Sequence, residues 1–216
     1  MPDPFVNQRI AMVELQLRSR GIRDEGVLDA MLRVPRHEFV PSSQQGDAYA
    51  DMPLPIGSGQ TISQPYIVAA MLEALEIGPQ DRVFEIGTGS GYMTALLAEL
   101  AVEVFSIERH RELAERARGV LSTLGYKNVQ VIVGDGSQGY PAAAPYGGII
   151  ASAAAPGIPA ALLEQLIEGG RMVIPVGPPE AQRLQLVRKV NGRLVVNVLQ
   201  GCRFVPLVGE HGYSPT

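Results

Sequence analysis

From Arg82 onward the chain alternates short apolar runs with longer amphipathic ones. The short runs, at 82–86, 103–107, 129–133, 147–152 and 171–176, have the length and the Val, Ile and Phe content of strands. Between them, 93–100 and 110–124 repeat apolar residues at helical spacing; in the second, Leu113, Ala117, Val120, Leu121 and Leu124 share a face. Such alternation predicts a doubly wound α/β fold: a mostly parallel sheet, covered on both faces and joined by right-handed crossovers. After residue 176 the period changes. Residues 182–190, then Asn191-Gly192, then 193–199 predict an antiparallel hairpin, since Asn-Gly suits a type I′ turn. A parallel sheet closed by a hairpin is not the usual form of a dinucleotide-binding domain.

Upstream, residues 1 to about 33 predict a helical extension. Asp3-Pro4 offers a cap and a first-turn proline, Val6, Ile10, Val13 and Leu17 step along one face, and Gly21 ends the helix. Asp24 would cap a second helix with Val27, Leu28, Met31 and Leu32 on its apolar stripe. The proline-bounded stretch Val34-Pro35-Arg36-His37-Glu38-Phe39-Val40-Pro41 reads as irregular. Residues 42–60, rich in Ser, Gln, Gly and Pro, read as a long loop of the kind that forms lids and binding sites. A helix then starts near Gln64, with Ile67, Val68, Met71, Leu72 and Leu75 on one face. Ser63 stands where an N-cap would, and on side-chain chemistry alone a capping role and a functional one remain open. The whole is expected to be one domain, 1–216: helices and substrate loop to 60, an α/β core over 61–177, and a hairpin and tail over 178–216.

The first strand ends in Glu85-Ile86-Gly87-Thr88-Gly89-Ser90-Gly91-Tyr92 and runs into a helix. Strand, glycine turn and helix together bind the phosphate or ribose end of nucleotide-like ligands, because glycine lets a ligand approach the backbone where a Cβ would clash. A dinucleotide fingerprint needs its third glycine at position 92, which is Tyr92. The spacing found, E-x-G-x-G-x-G, resembles the first motif of S-adenosylmethionine-dependent methyltransferases. Ligands of open α/β sheets lie at the carboxyl ends of strands, where two more acids fall. Glu108 ends the second strand and could accept both ribose hydroxyls; Asp135, before Gly136, follows the third and could accept from an adenine amino group.

Composition narrows the partners. With 46% hydrophobic and 19% charged residues the chain has an ordinary globular make-up. Its apolar runs fall short of the roughly 20 residues of a membrane span, and its first residues lack the pattern of a signal peptide. A net charge of −4 argues against a nucleic-acid partner. Cys202 is the only cysteine, so no intrachain disulfide can form and a cytoplasmic location is expected. His37, His110 and His211 form no metal-ligand spacing, and no metal is expected. A monomer is expected.

Four stretches resemble the protein-L-isoaspartate O-methyltransferase family. They are residues 34–41, Gly59-Gln60-Thr61-Ile62-Ser63-Gln64-Pro65, the glycine motif, and Arg203-Phe204-Val205-Pro206-Leu207. The second and fourth are not general methyltransferase features. The resemblance implies a class I, Rossmann-like methyltransferase fold with a C-terminal hairpin. It implies S-adenosyl-L-methionine as cofactor, S-adenosyl-L-homocysteine as product, and isoaspartyl peptides and proteins as substrates. It places the cofactor against Glu85, Gly87, Thr88, Gly89, Ser90, Gly91, Glu108, Arg109, Asp135 and Gly136. The substrate would lie against Ile56, Gly57, Gln60, Thr61, Ile62, Val205, Pro206 and Leu207, and Ser63 would orient the reacting carboxylate. The alternatives are a methyltransferase of another substrate and a module that binds the cofactor without turnover. One departure stands out: Gly147-Gly148 replaces an acid the family usually carries, which raises a question about the methionine end of the cofactor.

Overall fold

The computed structural model describes residues 3–214. Helix α1 (Val6–Ala11) continues through a wider π-helical turn (Met12–Leu17) and a tight 3-10 turn (Arg18–Arg20), and Gly21, at φ +101°, ends it. The expected apolar face holds only in part. Val13 and Leu17 are buried, but Val6 and Ile10 are 40% and 46% exposed, and Arg9 and Met12 turn inward instead. A π turn takes more residues per turn, so it rotates the preceding face away from the following one. Helix α2 (Glu25–Arg33) starts as expected: the Asp24 carboxylate accepts from the Val27 N–H at 3.0 Å.

Residues 36–39 form a 3-10 turn that buries Arg36 completely. The stretch expected to be a long loop contains a third 3-10 turn (Ser42–Asp47) and an antiparallel hairpin of β1 (Leu54–Gly57) and β2 (Gln60–Ile62). Strands of four and three residues leave little periodicity to read. Helix α3 (Pro65–Leu75) follows, and Ser63 does not cap it. The capping position is Gln64, whose side chain makes no capping bond, and the Tyr66 N–H is taken by Asp51 Oδ1 at 3.2 Å.

The core then runs β3 (Arg82–Ile86), α4 (Tyr92–Leu100), β4 (Glu103–Glu108), α5 (Arg111–Thr123), β5 (Val129–Val133), β6 (Tyr146–Ala151), α6 (Ala160–Glu164), β7 (Leu166–Val176), β8 (Arg183–Val190) and β9 (Arg193–Gly201). The seven-stranded sheet has the order β5-β4-β3-β6-β7-β8-β9, the first five strands parallel and the last two antiparallel. The Asn191-Gly192 turn takes φ +52° and +70°, as a type I′ turn requires. Neighbouring positions of β3 serve opposite layers: Val83 packs into the core beneath the N-terminal helices, Phe84 and Ile86 into the core of the other face. From β3 the chain steps outward to β4 and β5, then crosses back to place β6 on the other side of β3. That reversal opens a crevice at the carboxyl ends of the strands, where ligands of such sheets bind.

Candidate active site

The crevice is an open cleft at the carboxyl ends of β3 and β4. Its first wall is the turn between β3 and α4. Gly87, Gly89 and Gly91 take φ values of +88°, +53° and +89°, a region that side chains disfavour. The turn is tied down by the Gly87 N–H, which donates to the Ile107 carbonyl at 2.8 Å, and by the Gly91 N–H, which donates to the Thr88 carbonyl at 2.8 Å. Gly87, Thr88, Gly89 and Ser90 line the cleft. Gly91 does not: it starts α4 and lies against Ala117 of α5, where an added Cβ would stand 3.2 Å from the Ala117 Cβ.

Glu108, at the end of β4, lines the cleft with Arg109. One of its oxygens accepts from the Gly89 N–H and the other from the His110 N–H, both at 2.9 Å. The carboxylate is thereby fixed in place while each oxygen keeps a lone pair for a ligand hydroxyl. Gly136 completes the floor beside Ile86 and Ile107. A Cβ on it would come within 2.5 Å of Ile86 Cγ2 and 2.8 Å of Ile107 Cγ2, so only glycine fits.

Two of the three strand-end acids are placed differently from expectation. Glu85 does not reach the cleft. Its side chain points to the α4 side of the sheet, fully buried, and its Oε2 accepts from Thr94 Oγ1 (2.5 Å) and Ser106 Oγ (2.6 Å). Ser106 Oγ also meets Thr88 Oγ1 at 2.5 Å, so Glu85 supports the glycine turn from beneath. Burial raises its carboxyl to about 8, against the two hydroxyl bonds that favour the ionised form. Asp135 does not line the cleft: one oxygen accepts from the Ser137 N–H (2.9 Å) and hydroxyl (2.7 Å), the other from the Glu210 N–H of the tail (2.8 Å). Those bonds hold its carboxyl below the ordinary value despite the opposing effect of burial.

The opposite wall is built from β2 and the tail. Gln60, Thr61 and Ile62 of β2 line the cleft, as do Val205, Pro206 and Leu207 of the tail. The tail is held by the segment after β6, with the Ala154 N–H donating to the Val205 carbonyl (2.8 Å) and the Leu207 N–H to the Ala154 carbonyl (2.7 Å). Ile56 and Gly57 do not line the cleft. Ile56 is buried beneath Gly89, and its carbonyl accepts from Arg116 of α5, so it braces the glycine turn from the far side.

Ser63 follows β2, and no described residue hydrogen-bonds its hydroxyl. Its carbonyl accepts from Arg36 Nη2 at 2.9 Å, while Arg36 Nε donates to the Ala48 carbonyl at 2.7 Å. The Arg36 guanidinium lies over the Tyr92 ring, 4.9 Å from its centroid. Desolvation lowers its pKa to about 10, which leaves it charged at neutral pH. Beyond Ser63 lies a second cleft, which shares Thr61, Ser63, Ser152 and Val205 with the first.

His110, Met93, Ser152 and Ala153 also line the first cleft and carry no signal in the sequence motifs. Gly147 is far from it. It stands at the start of β6, five residues or roughly 16 Å of strand before Ser152. A Cβ there would fall 2.5 Å from Asp81 Oδ1, so the absence of a side chain at 147 is matched to Asp81 and not to the cleft.

A seven-stranded sheet of this order, with a glycine turn and a ribose-ready acid at its switch point, defines a class I S-adenosylmethionine-dependent methyltransferase. Within that class the hairpin before α3 and the Val205–Leu207 tail narrow the choice, and residues 7–212 match the family model described as protein-L-isoaspartate(D-aspartate) O-methyltransferase; the chain belongs to that family. A protein-L-isoaspartate O-methyltransferase of Koribacter versatilis is 60% identical over 98% of this chain and 95% of its own. One of Methanoculleus marisnigri is 56% identical over 98% and 96%. Among solved structures, a protein-L-isoaspartate O-methyltransferase superposes with a TM-score of 0.84 at 31% identity, covering 94% of this chain and 67% of that one. A Plasmodium falciparum structure described as a protein-L-isoaspartate O-methyltransferase in complex with S-adenosyl-L-homocysteine gives 0.79 at 26%, covering 92% and 97%. Among the described residues no helix is long and apolar enough to cross a membrane.

Proposed function

We propose that this chain transfers a methyl group from S-adenosyl-L-methionine to the free carboxylate of L-isoaspartyl residues in peptides and proteins. The observation that carries the reading is Ser63, whose side chain stands at the junction of two clefts with its hydroxyl unengaged. The first cleft fits the cofactor: Glu108 offers two free lone pairs to the ribose hydroxyls, Gly136 leaves a flat floor, and the glycine turn with Thr88, Ser90 and Arg109 lines the rest. Asp135 lies beside this cleft without lining it; its Oδ1 accepts from Ser137 and its Oδ2 from the Glu210 N–H, which leaves Oδ2 one lone pair for a ligand donor.

The bound cofactor supplies a methyl group on a cationic sulfonium. The acceptor carboxylate is already ionised at neutral pH, so the chain needs no general base. Its task is placement, for which orientation alone can contribute on the order of 7–11 kcal/mol. The Ser63 hydroxyl donates to one carboxylate oxygen and so directs the other. Arg36 fixes Ser63 through its carbonyl. Strand β2 and the tail hold the peptide backbone, and Ile62, Val68 and Leu207 keep water from the reacting atoms. We place this activity in the cytoplasm, in a monomer with no nucleic-acid or membrane partner, a reading supported by the acidic net charge and the single cysteine.

The ester has a defined fate. The peptide nitrogen that follows attacks the ester carbonyl, the ring closes to a succinimide, and the methoxy group leaves as methanol with the nitrogen's proton. With methyl-labelled cofactor and an isoaspartyl peptide, label is expected first in the peptide and then in volatile methanol, with the succinimide seen by mass spectrometry. Label that stays in a stable product would remove the carboxylate as acceptor.

Ser63→Ala is expected to lower turnover about 10- to 150-fold, the loss of one hydrogen bond to a charged group at about 1.5–3 kcal/mol. Stability should not change, since the hydroxyl caps no helix. Single-turnover rates and denaturation on the same sample separate the two effects; a destabilised variant with full turnover would return Ser63 to a structural role.

A further inference from the structure

The second cleft differs in charge from the rest of the molecule. Its walls include two arginines, Arg20 and Arg203, and no carboxylate, in a chain whose net charge is −4. Arg20 is held in place: it pairs with Asp51 at 2.5 Å and lies 3.6 Å from the centre of the Tyr66 ring. Arg203 is exposed and forms no ion pair with any described residue. The other polar side chains of its walls, among them Gln64, Ser152 and Gln200, are neutral.

A peptide whose carboxylate meets Ser63 has to leave the junction on at least one side. The cleft that shares Ser63, Thr61 and Val205 receives the next residues, because an extended peptide advances only about 3.3 Å per residue. We propose that this cleft is a subsite for residues flanking the isoaspartyl unit and that it favours acidic side chains, with Arg203 as the residue that determines the preference. The proposal rests on the isoaspartyl reading above. A glutamate two residues from the isoaspartyl unit meets the Arg203 guanidinium in place of water, whereas a lysine there meets the like charge of Arg203, that of Arg20 being paired with Asp51. Long, exposed side chains give this contact little geometric selectivity, so the preference is graded and not absolute.

The test uses one isoaspartyl peptide with glutamate, glutamine or lysine placed two residues to the amino-terminal or carboxyl-terminal side. With labelled cofactor, kcat/KM is expected to be roughly fivefold higher for glutamate than for lysine on one side, the scale of exposed ion pairs. The ratio should fall toward one in 1 M salt, where the Debye length is about 3 Å. In Arg203→Glu the preference should reverse. Arg203 makes no side-chain bond that folding depends on, and a thermal midpoint near the wild-type value verifies this. Equal kcat/KM for all flanks, or a preference that Arg203→Glu leaves untouched, overturns the subsite while the methylation reading stands. Methylation of no peptide removes the isoaspartyl reading, and the subsite falls with it.

Discussion

Replacing Arg36 by alanine is expected to lower stability by about 3–5 kcal/mol, the largest effect of any single change considered. Two costs combine. A large, completely buried side chain leaves a cavity beside Tyr92, and the carbonyls of Ala48 and Ser63 lose their donors. For a chain of this length the midpoint of thermal unfolding should fall by roughly 6–20 °C. Arg36→Lys separates the contributions, because an ammonium keeps charge and bulk but cannot reach both carbonyls as the planar guanidinium does. At a temperature where Arg36→Lys is folded, single-turnover methylation of the peptide should slow, since Ser63 is no longer held, while cofactor affinity stays near wild type. Denaturant titration and calorimetric cofactor binding supply both readouts. An alanine variant as stable as wild type would contradict the role given to Arg36.

The second large effect is a pH dependence. Glu85 has its carboxyl raised to about 8 in the folded chain, from an ordinary value near 4.5. Between those values the unfolded chain gives up a proton that the folded chain keeps. The fold therefore loses stability as pH rises through that window, by about 1.4 kcal/mol per pH unit. Below the window nothing is lost, and above it the loss stays constant. Glu85→Gln is neutral at every pH and its carbonyl oxygen can still accept from Thr94 and Ser106. Relative to wild type, the glutamine variant should thus gain about 4 kcal/mol between pH 5 and pH 8. Urea midpoints of both proteins at the two pH values test this. Parallel pH profiles would show that Glu85 is ionised where it sits.

The parts of this fold that were legible in the sequence are those with a long or repeated pattern. The strand–helix alternation after Arg82, the hairpin at Asn191-Gly192 and the Asp24 cap all follow from spacing and local chemistry. The hairpin of β1 and β2 was not legible, because Leu54, Ile56 and Ile62 are too few to fix a period among prolines and glycines. Val6 and Ile10 were misplaced because a π turn interrupts the helical register, and no residue type announces such a turn. The acids divide for a different reason. Glu108 ends its strand and reaches the cleft, but Glu85 pairs with Ser106, two positions short of that end, and its carboxylate meets Thr94 and Ser106 inside the core. Asp135 follows its strand but does not line the cleft, and one of its oxygens accepts from the Glu210 N–H, 75 positions away, a partner that no local pattern reveals. Ser63 illustrates the limit most clearly. Its neighbours suggested a cap, and only the position of Asp51 shows that the cap is supplied elsewhere.

The central claim is that backbone placement at Ser63 selects the isoaspartyl unit. That unit carries its extra methylene in the main chain and its carboxylate on a short branch, whereas normal aspartate extends its carboxylate one carbon further. With β2 on one side and Val205, Pro206 and Leu207 on the other, the backbone position is fixed and the two carboxylates end at different distances from the cofactor cleft. A misplacement of about 1 Å can cost on the order of a hundredfold in rate. The most direct measurement is therefore kcat/KM with methyl-labelled S-adenosyl-L-methionine for two peptides of one sequence, differing only in isoaspartate or aspartate. A preference of about a hundredfold or more for the isoaspartyl peptide is the expected result; comparable labelling of the two peptides, or labelling of neither, would contradict the account.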